Sequence, residues 1–141
     1  MRRALQAIDA IVGAARAAGY VVAIAIVDAQ GDLVAAYRMD GCRPRWMRAS
    51  LRKAYTAAVM DRDSDVFHDE VVARQLQIGY YGDPMLTGLP GGIVVTDAAG
   101  TTIAGIGVTG PTKGLDAELA RAGLRAFDGA SSPGERTTDD R

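Results

Sequence analysis

The sequence contains a single cysteine, Cys42, and a single histidine, His68, in 141 residues. One thiol excludes an intramolecular disulfide, and one thiol with one imidazole excludes the Cys/His sets of structural zinc. Multi-histidine metal centres and most nucleophile–histidine triads go with them. The chain also lacks a charge bias: 16 Lys and Arg face 17 Asp and Glu, for a formal net charge of −1. Nothing at the level of the whole molecule therefore points to nucleic acid or to an anionic membrane as partner. Long apolar runs are missing too. Met1-Arg2-Arg3 and the residues after it imitate a signal peptide, but Asp9 and Arg16 interrupt the run. No stretch approaches the roughly 18–20 residues of a membrane span. These absences lead to the expectation of a cytoplasmic protein, with neither membrane nor nucleic acid as partner.

Glycine is abundant: 17 residues, against 5 Pro and 2 Phe. Glycine is required where the backbone takes positive φ or approaches another group closely, so its placement carries information. A hydrophobic share of 48% suits an ordinary globular chain of one domain. The expected domain covers 1–127. The remainder, 128–141, reads as a disordered tail, since Ser131 onward has no apolar periodicity.

Ala4, Ile8, Ile11, Val12 and Ala15 recur at helical spacing, and Gly19 stands where a helix C′ glycine belongs. Tyr20 to Ala29 is apolar at nearly every position, the mark of a strand buried on both faces. Leu33 to Met39 returns as a second strand after a turn at Gln30-Gly31-Asp32. Pro44 is placed to open a helix that ends near Met60, with Met47, Leu51, Ala54, Tyr55 and Ala58 on one face. Asp61 to Ser64 offers capping oxygens to a third helix carrying Phe67, Val71 and Leu76. A glycine- and tyrosine-rich loop over 79–92 precedes strands at Ile93–Asp97 and Thr102–Val108 and a last helix at Leu115–Phe127. The order α-β-β-α-α-β-β-α, built from hairpins, predicts an α+β fold with helices packed on an antiparallel sheet.

Three features could carry chemistry. Arg38, Arg43, Arg45, Arg48, Arg52 and Lys53 cluster within sixteen residues, and Arg45, Arg48 and Arg52 share a helical face. The cluster reads either as a solvated face paired with Asp61 or Asp63, or as a site for a carboxylate, phosphate or haem propionate. With Trp46 as its one interleaved aromatic, it does not suit nucleic acid. The second feature is Gly91-Gly92 before one strand and Gly105 to Gly110 at the end of its partner. Singly these are turn or bulge glycines; together they suggest one wall of a small-ligand pocket. Gly105-x-Gly107-x-x-Gly110 is not a dinucleotide fingerprint, because it closes a strand before Pro111 instead of opening a helix. The third is Lys53, beside the small residues Ala54, Ala57 and Ala58. It either snorkels to water or is buried enough for base or amine chemistry. His68 reads as solvated or as a ligand or acid/base group, and Asp28 as a hydrogen-bond acceptor for the adjacent turn, with catalysis the lesser alternative. Cys42 would be a nucleophile only if its arginine neighbours lowered its pKa.

Several segments jointly resemble the GlcG/HbpS-like family, whose members carry haem-binding or haem-degrading labels. They are Val27-Asp28-Ala29-Gln30-Gly31-Asp32-Leu33-Val34, Arg38-Met39-Asp40-Gly41, Arg52-Lys53-Ala54-Tyr55-Thr56-Ala57, Leu89-Pro90-Gly91-Gly92-Ile93, Ala104-Gly105-Ile106-Gly107-Val108-Thr109-Gly110 and Leu115-Asp116-Ala117-Glu118. The resemblance runs over about 4–127. It implies a profilin-like fold with a five-stranded antiparallel sheet and helices on both faces, and hence a short extra strand within 85–90. It also implies homo-oligomers, from dimers to octamers. Lys53, Gly91, Gly92, Gly107, Gly110 and Asp116 fall on its motif positions. Thr109 stands where the family usually has serine, and Gly91-Gly92-Ile93-Val94-Val95 where it usually reads Gly-Gly-x-Pro-Ile. The Asp61–Glu70 segment replaces a shorter Pro-Thr region.

Two functions follow as expectations. The first is a cofactor-independent enzyme of isomerase, lyase, cyclase or hydrolase type, acting on a small anionic, carboxylate-bearing substrate. Lys53 and His68 are its candidate catalytic residues. Arg43, Arg45, Arg48, Arg52, Gly91, Gly92, Thr109 and Gly110 are its candidate substrate-binding residues, and no metal is expected. The alternative is a haem- or tetrapyrrole-binding protein, with His68, a Met or a Tyr on the iron and arginines on the propionates. An oligomeric scaffold with an unused pocket is the plain third option.

Overall fold

The apolar stripe of Ala4, Ala7, Ile8, Ile11, Val12 and Ala15 is buried along helix α1, Arg2–Ala17, in a computed structural model that describes residues 1–111 and 113–129. Gly19 has φ +76° and closes the helix, its N–H bonding Arg16 O and that of Tyr20 bonding Ala15 O. Strands β1 (Ala23–Asp28) and β2 (Leu33–Arg38) follow, then helices α2 (Pro44–Val59) and α3 (Ser64–Ala73). A single 3-10 turn at Ile78–Tyr81 leads into strands β3 (Gly92–Thr96) and β4 (Thr102–Thr109) and helix α4 (Lys113–Gly129). The element order is the one periodicity predicts. Residues 128 and 129, expected in the tail, belong to α4, and the remainder of the expected tail lies outside the described residues. None of the helices is long and apolar enough to cross a membrane, among the described residues.

The sheet is antiparallel in the order β2-β1-β4-β3. Its hairpins turn on the same chemistry twice. Asp28 Oδ1 accepts the N–H groups of Gln30 and Asp32, and Asp97 Oδ1 accepts those of Ala99 and Thr101. Asp28 is thus the turn acceptor that its position before Gly31 predicts. On one face Ile24, Ile26, Ile93, Val95, Ile106 and Val108 meet α1 and α4 in the main core. On the other, Ala25 and Val27 meet Ala54 and Ala58 of α2.

The second face explains most of the glycine signal. Gly92 and Gly107 are register partners, and Gly105 lies on the same side of β4. A Cβ on Gly92, Gly105 or Gly107 would collide with the backbone carbonyl of Lys53, Ala54 or Ser50 respectively. The three bare positions let the α2 backbone lie directly on the strands. The docking face of α2 is accordingly Ser50, Lys53, Ala54, Ala57 and Ala58, and the predicted Met47 and Leu51 stand at its margin, partly buried. Small residues win here because helix and sheet meet backbone to backbone, where branched side chains have no room.

The described sheet has four strands, which corrects the expectation of a fifth within 85–90. The reason is where the backbone hydrogen bonds go. Leu86 O accepts from Arg52, Thr87 N–H donates to Thr56 Oγ1, and Leu89 O accepts from Ser64 Oγ. The outer edge of β3 is also occupied. Gly92 N–H donates to Ser64 Oγ and Val94 N–H to Asp63 Oδ1. Side chains of α2 and of the α3 entry have taken the places a fifth strand would fill. For the same reason Asp63 makes no side-chain cap on α3; its oxygen serves the strand instead.

Candidate functional site

Lys53 sits on the buried face of α2, near the end of β4 where the chain turns toward α4. Its side chain is 3% exposed and its Nζ donates to Val108 O at 2.9 Å and to Asp116 Oδ2 at 3.2 Å. Asp116 lies in the first turn of α4, where the helix dipole favours a carboxylate. Burial pushes the Asp116 carboxyl up from its ordinary range, and the Lys53 ammonium and the Gly110 N–H pull it only partly back. Gly91, at φ +113°, packs against both partners: a Cβ there would stand 3.0 Å from Asp116 Cβ, 3.2 Å from Lys53 Nζ and 2.6 Å from Val108 O. The glycine makes room for the ion pair.

The pair opens onto a cavity of about 350 Å³. Arg45, Lys53, Thr109 and Asp116 supply its polar groups, and Trp46, Leu89 and Pro90 are among its apolar walls. Thr109 is tied through a buried pair of hydroxyls to Ser50, whose Oγ lies 2.9 Å from Thr109 Oγ1 and 2.8 Å from Ala23 O. The wall formed by Leu89 and Pro90 belongs to the segment that Arg52, Thr56 and Ser64 hold down.

Of the residues singled out in the sequence, the structure brings Arg45, Lys53, Thr109 and Gly110 to this cavity. Gly91 lies behind the ion pair and Gly92 beneath the α2 backbone. Arg43 is the exposed N-cap residue of α2, and Arg48 is exposed outside the lining. Arg52 is exposed and bonds Leu86 O at 2.9 Å, which makes it a support of the cavity wall. His68 is half exposed, 3.6 Å from the Asp69 carboxylate, with its ring against Gly88 and away from the lining. Asp61 and Asp63 accept from Thr102 Oγ1 and the Val94 N–H, and among the described residues no ion pair joins either to the arginine cluster. Burial pushes the Cys42 thiol up, outweighing the Met39 hydrogen bond and Arg38, contrary to the activation its arginine neighbours suggested. Asp116 and Trp46 also line the cavity, and the sequence assigns neither of them a site role. The motif position of Asp116 and its place in the first turn of α4 were its only signals.

The family model described as haem degrading protein HbpS-like matches residues 1–125. The chain belongs to the HbpS-like family. Protein GlcG of Escherichia coli K12 is 37% identical over 89 residues, 62% of this chain and 63% of GlcG, so the match spans under two thirds of that relative. HbpS itself superposes with TM-score 0.79 at 34% identity, covering 88% of this chain and 86% of HbpS. Protein OrfY of Klebsiella pneumoniae gives TM-score 0.82 at 25% identity, covering 90% and 88%. PduOC, solved as a haem complex, gives 0.80 at 22% identity, covering 89% and 92%, a likeness of fold.

Proposed function

We propose that this HbpS-like chain binds a small carboxylate-bearing molecule in the Arg45–Lys53–Thr109–Asp116 cavity and acts on it as a cofactor-independent enzyme. One observation carries the reading. Lys53 and Asp116 are the fully buried charged residues among those described, and both line the same cavity. A buried ion pair is weak support for stability, whereas buried titratable groups in a cleft characterise reactive sites. The apolar walls receive the body of the molecule and the Arg45 guanidinium takes its carboxylate. Lys53, held by Asp116, is then placed to stabilise negative charge developing on the substrate or to deliver a proton to it. Burial raises the proton affinity of the Asp116 carboxyl, and its hydrogen bond holds the Lys53 ammonium in position.

The test is a calorimetric screen of small mono- and dicarboxylates against the purified chain. Saturable binding is expected that Arg45→Gln weakens about tenfold and Arg48→Gln leaves unchanged. Turnover of any bound compound is expected to vanish in Lys53→Ala; full activity there would sink the assignment.

Haem is the second reading, supported by the family description and by the haem complex of PduOC. The cavity does not fit it well. Among the described residues its lining holds no His, Met, Cys or Tyr side chain, and the Lys53 amine is already bonded to Val108 O and Asp116. His68 stands apart on α3. A haemin titration decides: the carboxylate reading expects no saturable Soret shift at micromolar protein, and a stoichiometric shift would replace it with the haem reading.

Self-association belongs to the same proposal. Strand β2 forms one edge of the sheet and leaves Leu33 57% and Tyr37 43% exposed, apolar surface that a second copy would cover. Light scattering gives the assembly size, and a monomer at working concentration would exclude it.

A further inference from the structure

The proton count at the two buried hydroxyls fixes a polarity in the cavity wall. Ser50 Oγ lies 2.8 Å from Ala23 O and 2.9 Å from Thr109 Oγ1. A carbonyl oxygen only accepts, so the single Ser50 proton must go to Ala23 O; any other orientation would set two lone pairs against each other in a dry interior. The bond between the hydroxyls then has to be made with the Thr109 proton, donated to Ser50 Oγ. Thr109 Oγ1 is left with no proton to give, and Thr109 is one of the residues that line the cavity.

The other polar groups sharpen the consequence. The Asp116 carboxylate accepts from Lys53 Nζ and from the Gly110 N–H. Arg45 only donates. Among the described residues, Arg45 and Lys53 against Asp116 give the lining one net positive charge. Such a site favours an anion whose second recognised group is a neutral donor, and it disfavours an ammonium.

We propose that Thr109 is a specificity-determining residue, whose hydroxyl oxygen accepts a hydrogen bond from the ligand and so selects hydroxycarboxylates over the matching unsubstituted carboxylates. This rests on the carboxylate reading above and adds a donor requirement to it. The Ser50–Thr109 pair sets the direction of that preference, and Thr109 makes the contact. Serine at 109 would keep the oxygen and the proton count, while valine would keep the shape and remove the acceptor.

Mandelate and phenylacetate differ by one hydroxyl and have an aromatic body suited to Trp46 and the apolar walls. Calorimetric titration of the full chain with each is expected to give about tenfold tighter binding of mandelate, one enantiomer favoured, in the unmodified protein and in Thr109→Ser. In Thr109→Val the preference is expected to disappear, the two acids binding within about twofold of one another. Equal affinities in the unmodified protein, measured with no substitution at all, would overturn the inference and leave the carboxylate reading standing. A preference that survives in Thr109→Val would overturn it as well. Binding of neither acid overturns it and also counts against the carboxylate reading.

Discussion

Lys53 Nζ and Asp116 Oδ2 stand 3.2 Å apart in the interior, 63 residues from one another in the chain. The pair ties α2 to the start of α4 and faces the cavity. Removing one member leaves the other charge buried without its counterpart. Asp116→Asn is therefore expected to lower stability by about 3–5 kcal/mol in urea titration. The double change Lys53→Met with Asp116→Leu removes both charges and is expected to restore most of that loss while abolishing carboxylate binding. A double variant as unstable as the single one would mean that the pair contributes net stability.

Gly107 is expected to tolerate no side chain. Its Cβ would meet the Ser50 carbonyl and the Ala54 nitrogen, both backbone atoms of α2 that cannot turn aside. Gly107→Ala should cost about 3 kcal/mol or more by denaturation. Gly13 is the control, an exposed position within α1 with nothing near a new Cβ. Gly13→Ala should stabilise by about 0.5–1 kcal/mol.

Asp63 gives a pH signature. Burial pushes its carboxyl above 3.8, the Val94 N–H pulls it partly back, Asp65 adds to the rise and Arg121 opposes it. The folded chain thus holds this proton more tightly than the unfolded one. Its stabilising contribution is complete below 3.8 and is lost as pH rises through the raised value. Asp63→Asn, which keeps an oxygen for Val94, should gain on the unmodified protein across that window as pH increases. Urea midpoints at a series of pH values measure the gap, and a gap independent of pH would contradict the assignment.

Arg52 is expected to act through the wall it supports. With Arg52→Gln the bond to Leu86 O is lost, and amides at the 86–89 segment should exchange with deuterium faster. Carboxylate binding should weaken less than in Arg45→Gln, because Arg52 stands outside the lining. An equal loss in the two variants, with unchanged exchange, would place Arg52 on the ligand instead.

Local signals alone determined the element order, the Gly19 stop of α1, the Asp28 turn and the α+β class. These depend on periodicity and on residues within about one turn of each other. Lys53 was legible as a lysine among small residues, and Arg45 as one of a basic cluster. Which arginine reaches the cavity was not, because that depends on the rotation of α2 against the sheet, set by Gly92, Gly105 and Gly107. The same glycines looked like ligand walls in sequence, since a bare backbone position signals close approach without saying of what. Asp116 as partner of Lys53, and Thr109 as an acceptor, came only from tertiary structure. A side chain 63 residues away and a proton count shared with Ser50 and Ala23 leave no local pattern. The missing fifth strand has the same cause: whether the backbone of 86–89 pairs as a strand was decided by the side chains of Arg52, Thr56 and Ser64, brought there by the packing of two helices.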